Sequence, residues 1–164
     1  TTDYNLWPPF AQTILVLLMF VGGCSGSTAG SIKCGRILLL LRSSTRSLLR
    51  LSHPRAVRVV KLDGKVVDEE TLRTVSSFFL CFFALLGVGC LVVSLDGYSL
   101  TTSFTAALGC LSNVGPGLDL VGPMGNFGLL SGFNKVFLSL LMLIGRLEIF
   151  PILLLFLPST WRRS

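Results

Sequence analysis

The sequence predicts an all-α membrane protein. A transmembrane helix broken in its middle comes first, followed by a long helix, a half-helix, a non-helical loop and a second long helix, with a small cytoplasmic β-hairpin on the connector. Three observations predict it. Of the 164 residues 51% are hydrophobic and 13% charged, with a mean hydropathy of +0.76. A soluble domain carries roughly 25% charged residues, so much of this surface needs no water. The apolar tracts come in two lengths, one able to cross a bilayer and one too short for it. Finally, ten of the 14 Lys and Arg residues lie from Lys33 to Arg73 and two more at Arg162 and Arg163, while Asp96 to Asn134 has none. That asymmetry follows the positive-inside rule.

Residues 1–50 hold the broken helix. Pro9 to Val21 is apolar apart from Gln12 and Thr13, and is interrupted by Gly22, Gly23, Cys24, Ser25, Gly26, Ser27, Thr28, Ala29, Gly30 and Ser31. Ile37 to Leu41 resumes the apolar pattern, and a basic amphipathic run continues to Leu51. Neither half reaches the roughly 20 residues that span a membrane, but together they do.

Residues 51–73 form a polar connector. His53 before Pro54 reads as a turn residue, and the alternation around Asp63-Gly64, from Val57 to Leu62 and from Lys65 to Val67, is a short-hairpin signal. Asp68, Glu69 and Glu70 put acids where a helix N-terminus is positive.

Residues 74–164 carry the remaining helices. Thr74 to Leu95 has no charged residue and as a helix extends about 33 Å, enough to cross. Ser99 to Ser112 is too short to span and is expected to be re-entrant or interfacial. Asn113, Val114, Gly115, Pro116 and Gly117 end any helix. Residues 132–157 are a second full-length span carrying Arg146 and Glu148. With 33–73 cytoplasmic, the alternation of these tracts returns the C-terminus to the same side. The chain opens on Thr-Thr-Asp without a Met, and is expected to be the later part of a longer polypeptide.

Several function classes are disfavoured. Nucleic-acid binding wants basic residues interleaved with aromatics on one face, and the basic block from Lys33 to Arg73 contains no aromatic. The five cysteines form no C-x-x-C pair and read as small buried space-fillers. The spans hold no His, Asp or Cys constellation for catalysis, so neither an enzyme nor an organic cofactor is expected. Gly22 to Ser31, with Lys33 behind it, lacks the Lys directly after the last glycine that a phosphate-binding loop needs.

Non-helical backbone at membrane depth is tolerated only where it lines water or is buried in protein. Placed after a half-helix, 113–117 can turn carbonyl oxygens toward a dehydrated cation, with the negative end of the half-helix behind them. That arrangement is the one found in a potassium-channel pore unit. An ordinary extracellular turn after a dipping helix fits the same spacing. Arg146 costs about 2.5–3.5 kcal/mol near mid-membrane and needs a wet path or a partner. Glu148, two residues on, is badly placed to be that partner within one helix.

Three motifs in order then resemble a known superfamily. Ser112 to Leu118 resembles the last filter loop of the Trk/Ktr/HKT potassium transporters, specifically the bacterial TrkH branch. Phe20 to Lys33 is similar to that branch's intramembrane loop, and Gly145-Arg146-Leu147-Glu148 to its last-helix arginine motif. Thr2 to Pro8 resembles the stretch after the third filter. The resemblance implies four tandem pore units around one ion path, with the end of the third and all of the fourth in this chain. It implies potassium as transported substrate, with Asn113 and Val114 among the backbone ligands and Gly115, Pro116 and Gly117 completing the filter segment. Residues 22–31 and Lys33 would form a gating loop, whose small side chains enter and leave a narrow pore without jamming. Arg146 would be a positive barrier below the filter. The implied surroundings are a bacterial inner membrane, the earlier pore units of the same polypeptide, a homodimeric partner and a cytoplasmic nucleotide-binding regulator of the TrkA kind.

Overall fold

The computed structural model describes residues 2–23, 31–52, 61–62 and 65–147. The expected gating-loop residues Cys24 to Gly30, the turn at Asp63-Gly64, His53, Glu148 and the C-terminal basic pair lie outside the described residues. The architecture is mostly helical: α1 (Pro9–Phe20), α2 (Cys34–Ser52), α3 (Glu69–Ser94), α4 (Leu100–Leu111) and α5 (Gly132–Arg146), with β1 (Lys61–Leu62) antiparallel to β2 (Lys65–Val66).

α1 starts on Pro9, where the missing N–H costs nothing. It ends at Phe20, and the chain then meets its own continuation. Gly22 N–H donates to the Ile32 carbonyl (2.9 Å), Ile32 N–H to Phe20 (3.2 Å) and Cys34 N–H to Gly23 (3.3 Å). This is a parallel bridge, Val21 to Ile32. The two sides of the interruption therefore run in the same direction and are joined by a hydrogen-bonded neck. The neck is tight: a Cβ on Gly22 would stand 2.9 Å from Ser31 Oγ and 3.0 Å from the Ser31 carbonyl. α2 then runs unbroken to Ser52, joining the apolar and basic stretches that the sequence shows as separate tracts. It packs on α3 through Arg36, whose guanidinium stands 4.1 Å from the Phe78 ring centre, and through an Arg46–Glu69 ion pair.

α3 is capped by Asp68, whose Oδ1 accepts from Glu69 N–H at 2.9 Å. Its buried seam is Leu72, Val75, Phe78, Phe82, Leu86, Gly89 and Val93, at steps of three or four. Leu80, Phe83, Val88 and Leu91 face outward and are exposed.

α4 is the core of the assembly. Thr102, Ser103 and every residue from Thr105 to Leu111 are buried, and α3, α5 and α1 all pack on it. Its closest three-helix contact is at Gly89, where a Cβ would meet Leu141 Cδ1 at 2.8 Å and Ala107 Cβ at 3.1 Å. α5 begins on Ser131, whose Oγ accepts from Asn134 N–H at 3.3 Å. Asp96, just past α3, accepts from Asn134 Nδ2 (2.7 Å) and Ser131 N–H (3.3 Å). The end of one helix is thereby tied to the start of the other.

Candidate functional site

The site is the chain that leaves the C-terminus of α4. Ser112 N–H bonds the Leu108 carbonyl (2.8 Å), Asn113 N–H bonds Cys110 (3.1 Å), and the N–H groups of Val114 and Gly115 converge on Gly109 (3.0 and 3.3 Å). Asn113 takes φ 55° and Gly115 φ 102°, a conformation natural to Gly and tolerated by Asn. The Asn113 side chain turns aside, Nδ2 donating to the Met142 carbonyl of α5 at 3.1 Å. Gly109 leaves room for this path, since a Cβ there would come within 2.9 Å of the Gly115 carbonyl oxygen.

Among the described residues, no hydrogen bond ends on the carbonyl oxygens of Asn113, Val114, Gly115 or Pro116. These four residues are half-buried or exposed, so their oxygens are open to solvent or to a ligand. The run ends at Gly117, whose carbonyl accepts from Tyr4 Oη at 2.8 Å while its N–H donates to the Val121 carbonyl at 2.7 Å. Gly117 differs from the four residues before it in that its carbonyl has a protein donor.

Past Gly117 the chain runs back along α4. Thr105 Oγ1 accepts from Leu118 N–H (2.9 Å) and donates to the Thr101 carbonyl (2.7 Å). A Cβ on Gly117 would stand 2.8 Å from that same hydroxyl. Asp119, at φ 59°, reaches the first turn of α4, where Oδ2 accepts from Thr102 Oγ1 (2.6 Å) and Ser99 Oγ (2.7 Å). Those two hydroxyls, Thr102 first, hold its carboxyl below the usual carboxylate range. Asn5 grips the backbone of the same residue, Oδ1 accepting from Asp119 N–H (2.9 Å) and Nδ2 donating to its carbonyl (3.2 Å).

Two grooves flank the segment. One, of about 250 Å³, lies against α1 and is lined by Tyr4, Val16, Met19, Val114, Pro116 and Leu118 among others. The other, also about 250 Å³, lies against α5 and includes Gly115, Lys135, Ser139 and Met142. Lys135 Nζ donates to the Gly128 carbonyl at 2.8 Å. Arg146 sits in the last turn of α5, next to Gly145, which touches the end of α4. Ser31 is buried behind the loop neck, and Lys33 stands between the bridge and α2. Cys110 is buried as expected, but Cys34 is exposed, with Sγ donating to the Gly22 carbonyl at 3.1 Å. That thiol is part of the neck and fills no core. No group of three or more His, Cys, Asp or Glu able to hold a metal occurs among the described residues.

Reading the sequence missed Tyr4, Asn5, Thr102, Thr105 and Asp119. A signal existed for the last: it is the one charged residue between Asp96 and Lys135, which calls for a local partner. Nothing in the sequence marks Asn5 as that residue's neighbour.

Comparison with known proteins is consistent across sequence and structure. The family model for TrkH, described as a cation transport protein, matches residues 1–163. The chain is 38% identical over 162 residues to the Trk system potassium uptake protein TrkG of Escherichia coli (strain K12), covering 99% of this chain and 33% of that protein. It is 39% identical over 163 residues to the Trk system potassium uptake protein TrkH of Salmonella typhimurium, again covering 99% and 33%. The crystal structure of the potassium transporter TrkH from Vibrio parahaemolyticus superposes with a TM-score of 0.89 at 38% identity, over 98% of this chain and 34% of that one. The chain spans about one third of the length of the curated relatives it matches.

Proposed function

The chain belongs to the TrkH family of cation transport proteins, and from that premise we propose that it supplies the last quarter of a potassium-selective pore in a bacterial inner membrane. Residues 1–50 are the end of a third pore unit, 51–73 a cytoplasmic connector, and 74–164 the fourth unit. In that unit α3 is the outer helix, α4 the pore helix, 113–117 the filter and 132–157 the inner helix. The observation that carries the reading is the run of four carbonyl oxygens, Asn113 to Pro116, that accept no hydrogen bond among the described residues. They emerge from the C-terminal end of a buried helix, where partial negative charge favours a cation. Oxygens held apart from protein donors are free to replace the water shell of a dehydrated ion. The outward apolar face of α3 supports a lipid setting.

Gating is assigned to residues 22–31 with Lys33. The Val21–Ile32 bridge holds the two helix ends on either side of that stretch in register. Arg146 is the barrier charge, on the turn of α5 that meets the end of α4. The earlier pore units, a second copy of the polypeptide and a nucleotide-binding regulator complete the assembly. The test uses the full-length protein in a cell lacking potassium uptake. Gly115→Ser, at φ 102°, abolishes growth on low potassium and rubidium uptake at normal membrane abundance. Wild-type uptake in that variant would instead favour a non-conducting assembly subunit.

A further inference from the structure

The turn at Tyr4–Leu6 comes 113 residues before the filter's outer end, yet touches it through three hydrogen bonds. Asn5 acts on Asp119 as a neighbouring strand would, offering an acceptor to its N–H and a donor to its carbonyl. Asp119 is at φ 59°, and its carbonyl also accepts from Gly122 N–H at 3.0 Å, so Asn5 adds to a local turn the partner for the Asp119 N–H. Tyr4 adds a single bond to the Gly117 carbonyl at 2.8 Å. Burial first, and the Asp3 carboxylate after it, push the phenol pKa up, so the hydroxyl is a donor across the physiological range.

The clamp is itself anchored. Asp3 Oδ1 accepts from Asn5 N–H at 3.0 Å. Gln12 Nε2, on α1, donates to the carbonyls of Asn5 (2.9 Å) and Trp7 (3.2 Å). This explains the Gln in a helix whose other polar residue, Thr13, bonds its own helix at Pro9. On the far side, Asp119 is tied to the first turn of α4 through Ser99 and Thr102. The outer end of the segment is thus strung between α1 and α4.

We infer that Tyr4 and Asn5 are positioning residues for ion selectivity: they fix the outer end of the 113–117 segment, and with it the spacing of the carbonyls before it. Neither contacts an ion. The inference rests on the reading of Asn113–Gly117 as a filter. In a snug-fit filter, discrimination between cations of different size follows how firmly the ligand oxygens hold their positions. Loosening Gly117 and Asp119 on the α1 side then lets the ring relax around a smaller ion, and sodium gains relative to potassium.

The experiment measures rubidium and sodium uptake side by side in cells expressing the full-length protein. The variants are Tyr4→Phe, which removes one oxygen atom, and Asn5→Ala, which removes both clamp bonds. Each is expected to lower the rubidium-to-sodium ratio by about threefold to tenfold, the scale of one or two hydrogen bonds. A variant that only folds poorly lowers both ions together and leaves the ratio unchanged. Asn5→Asp keeps the acceptor for Asp119 N–H but sets an anionic oxygen against the Asp119 carbonyl, so its ratio falls as well. Where Asn5→Ala does not accumulate, Tyr4→Phe decides alone. A wild-type ratio in Tyr4→Phe and in whichever Asn5 variant reaches the membrane overturns the inference. Failure of the filter reading is a separate result: normal uptake by Gly115→Ser, whatever the Tyr4 and Asn5 variants do.

Discussion

Gly145 lies against the carbonyl of Leu111: a Cβ built on Gly145 would stand 2.0 Å from that oxygen and 2.9 Å from its carbon. The contact is backbone to backbone, so no side chain can yield. It seats the last turn of α5 on the C-terminus of α4, where the filter segment begins. Gly145→Ala must push the helices apart, an overpacking cost of about 1–3 kcal/mol. A lowered thermal midpoint of the detergent-solubilised full-length protein is the expected result. Gly132, at the start of the same helix, has nothing within 4 Å of its Cβ position. Gly132→Ala is expected to stay within about 0.5 kcal/mol of wild type, and equal losses in the two variants would refute the contact argument.

A similar contrast separates two other glycines. Gly109→Ala places a methyl 2.9 Å from the Gly115 carbonyl oxygen, moving one of the filter oxygens by several tenths of an ångström. Rubidium uptake is expected to fall with membrane abundance little changed. Gly87, on the exposed side of α3, has no atom within 4 Å, and Gly87→Ala removes unfolded-chain entropy for a gain of about 0.4–1 kcal/mol. Uptake that survives Gly109→Ala intact would place the Gly115 oxygen away from the ion path.

How far the sequence announces these features depends on the range of the interaction. α3 and α4 are legible because their signals are local: an uncharged tract of membrane length, and a short one ended by Asn113 to Gly117. The start of α3 is less so. Hydropathy begins the span at Thr74, whereas the hydrogen-bonded helix begins at Glu69, because Asp68 caps a first turn that is charged and polar. The parallel neck between Val21 and Ile32 is invisible for the same reason as the Asn5 clamp. One pairs main chain with main chain and the other an Asn side chain with a distant main chain, and in both the sequence patterns of the two segments carry no trace of each other. The hydroxyls of Thr102 and Thr105 read as tolerated polar residues in a buried helix until the chain is seen to run back beside them.

Acid should loosen the join between α3 and α5. Hydrogen bonds from Ser131 first, and Asn134 after it, lower the Asp96 pKa. A carboxylate whose folded pKa is depressed contributes stability above its unfolded value of about 3.9. That contribution is lost as pH falls through the lower, folded value. The thermal midpoint of the full-length protein is therefore expected to fall below about pH 4 more steeply in wild type than in Asp96→Asn. Asp119, also depressed, titrates in the same window, so the Asp96→Asn slope is reduced and not flat. Parallel slopes for the two proteins would remove Asp96 from the linkage.

The charge at Arg146 bears on conduction. It follows Gly145 in sequence, and a Cβ on Gly145 would lie 3.1 Å from Asn113 Nδ2 as well as against Leu111. Arg146 is thus on the helical turn that meets the start of the 113–117 segment, the proposed filter. At the C-terminus of α5 its charge also complements the helix dipole, so a stabilising role competes with a barrier role. The two part on removal of the charge. A positive charge beside the ion path raises the energy of a passing cation, so losing it speeds passage. A purely stabilising arginine predicts the reverse, less protein and less flux. Arg146→Ala and Arg146→Gln are expected to raise rubidium uptake per transporter, with Arg146→Lys close to wild type because it keeps the charge. Flux per transporter at or below wild type in both neutral variants, at normal abundance, would assign Arg146 to the helix end and leave the ion path without its barrier.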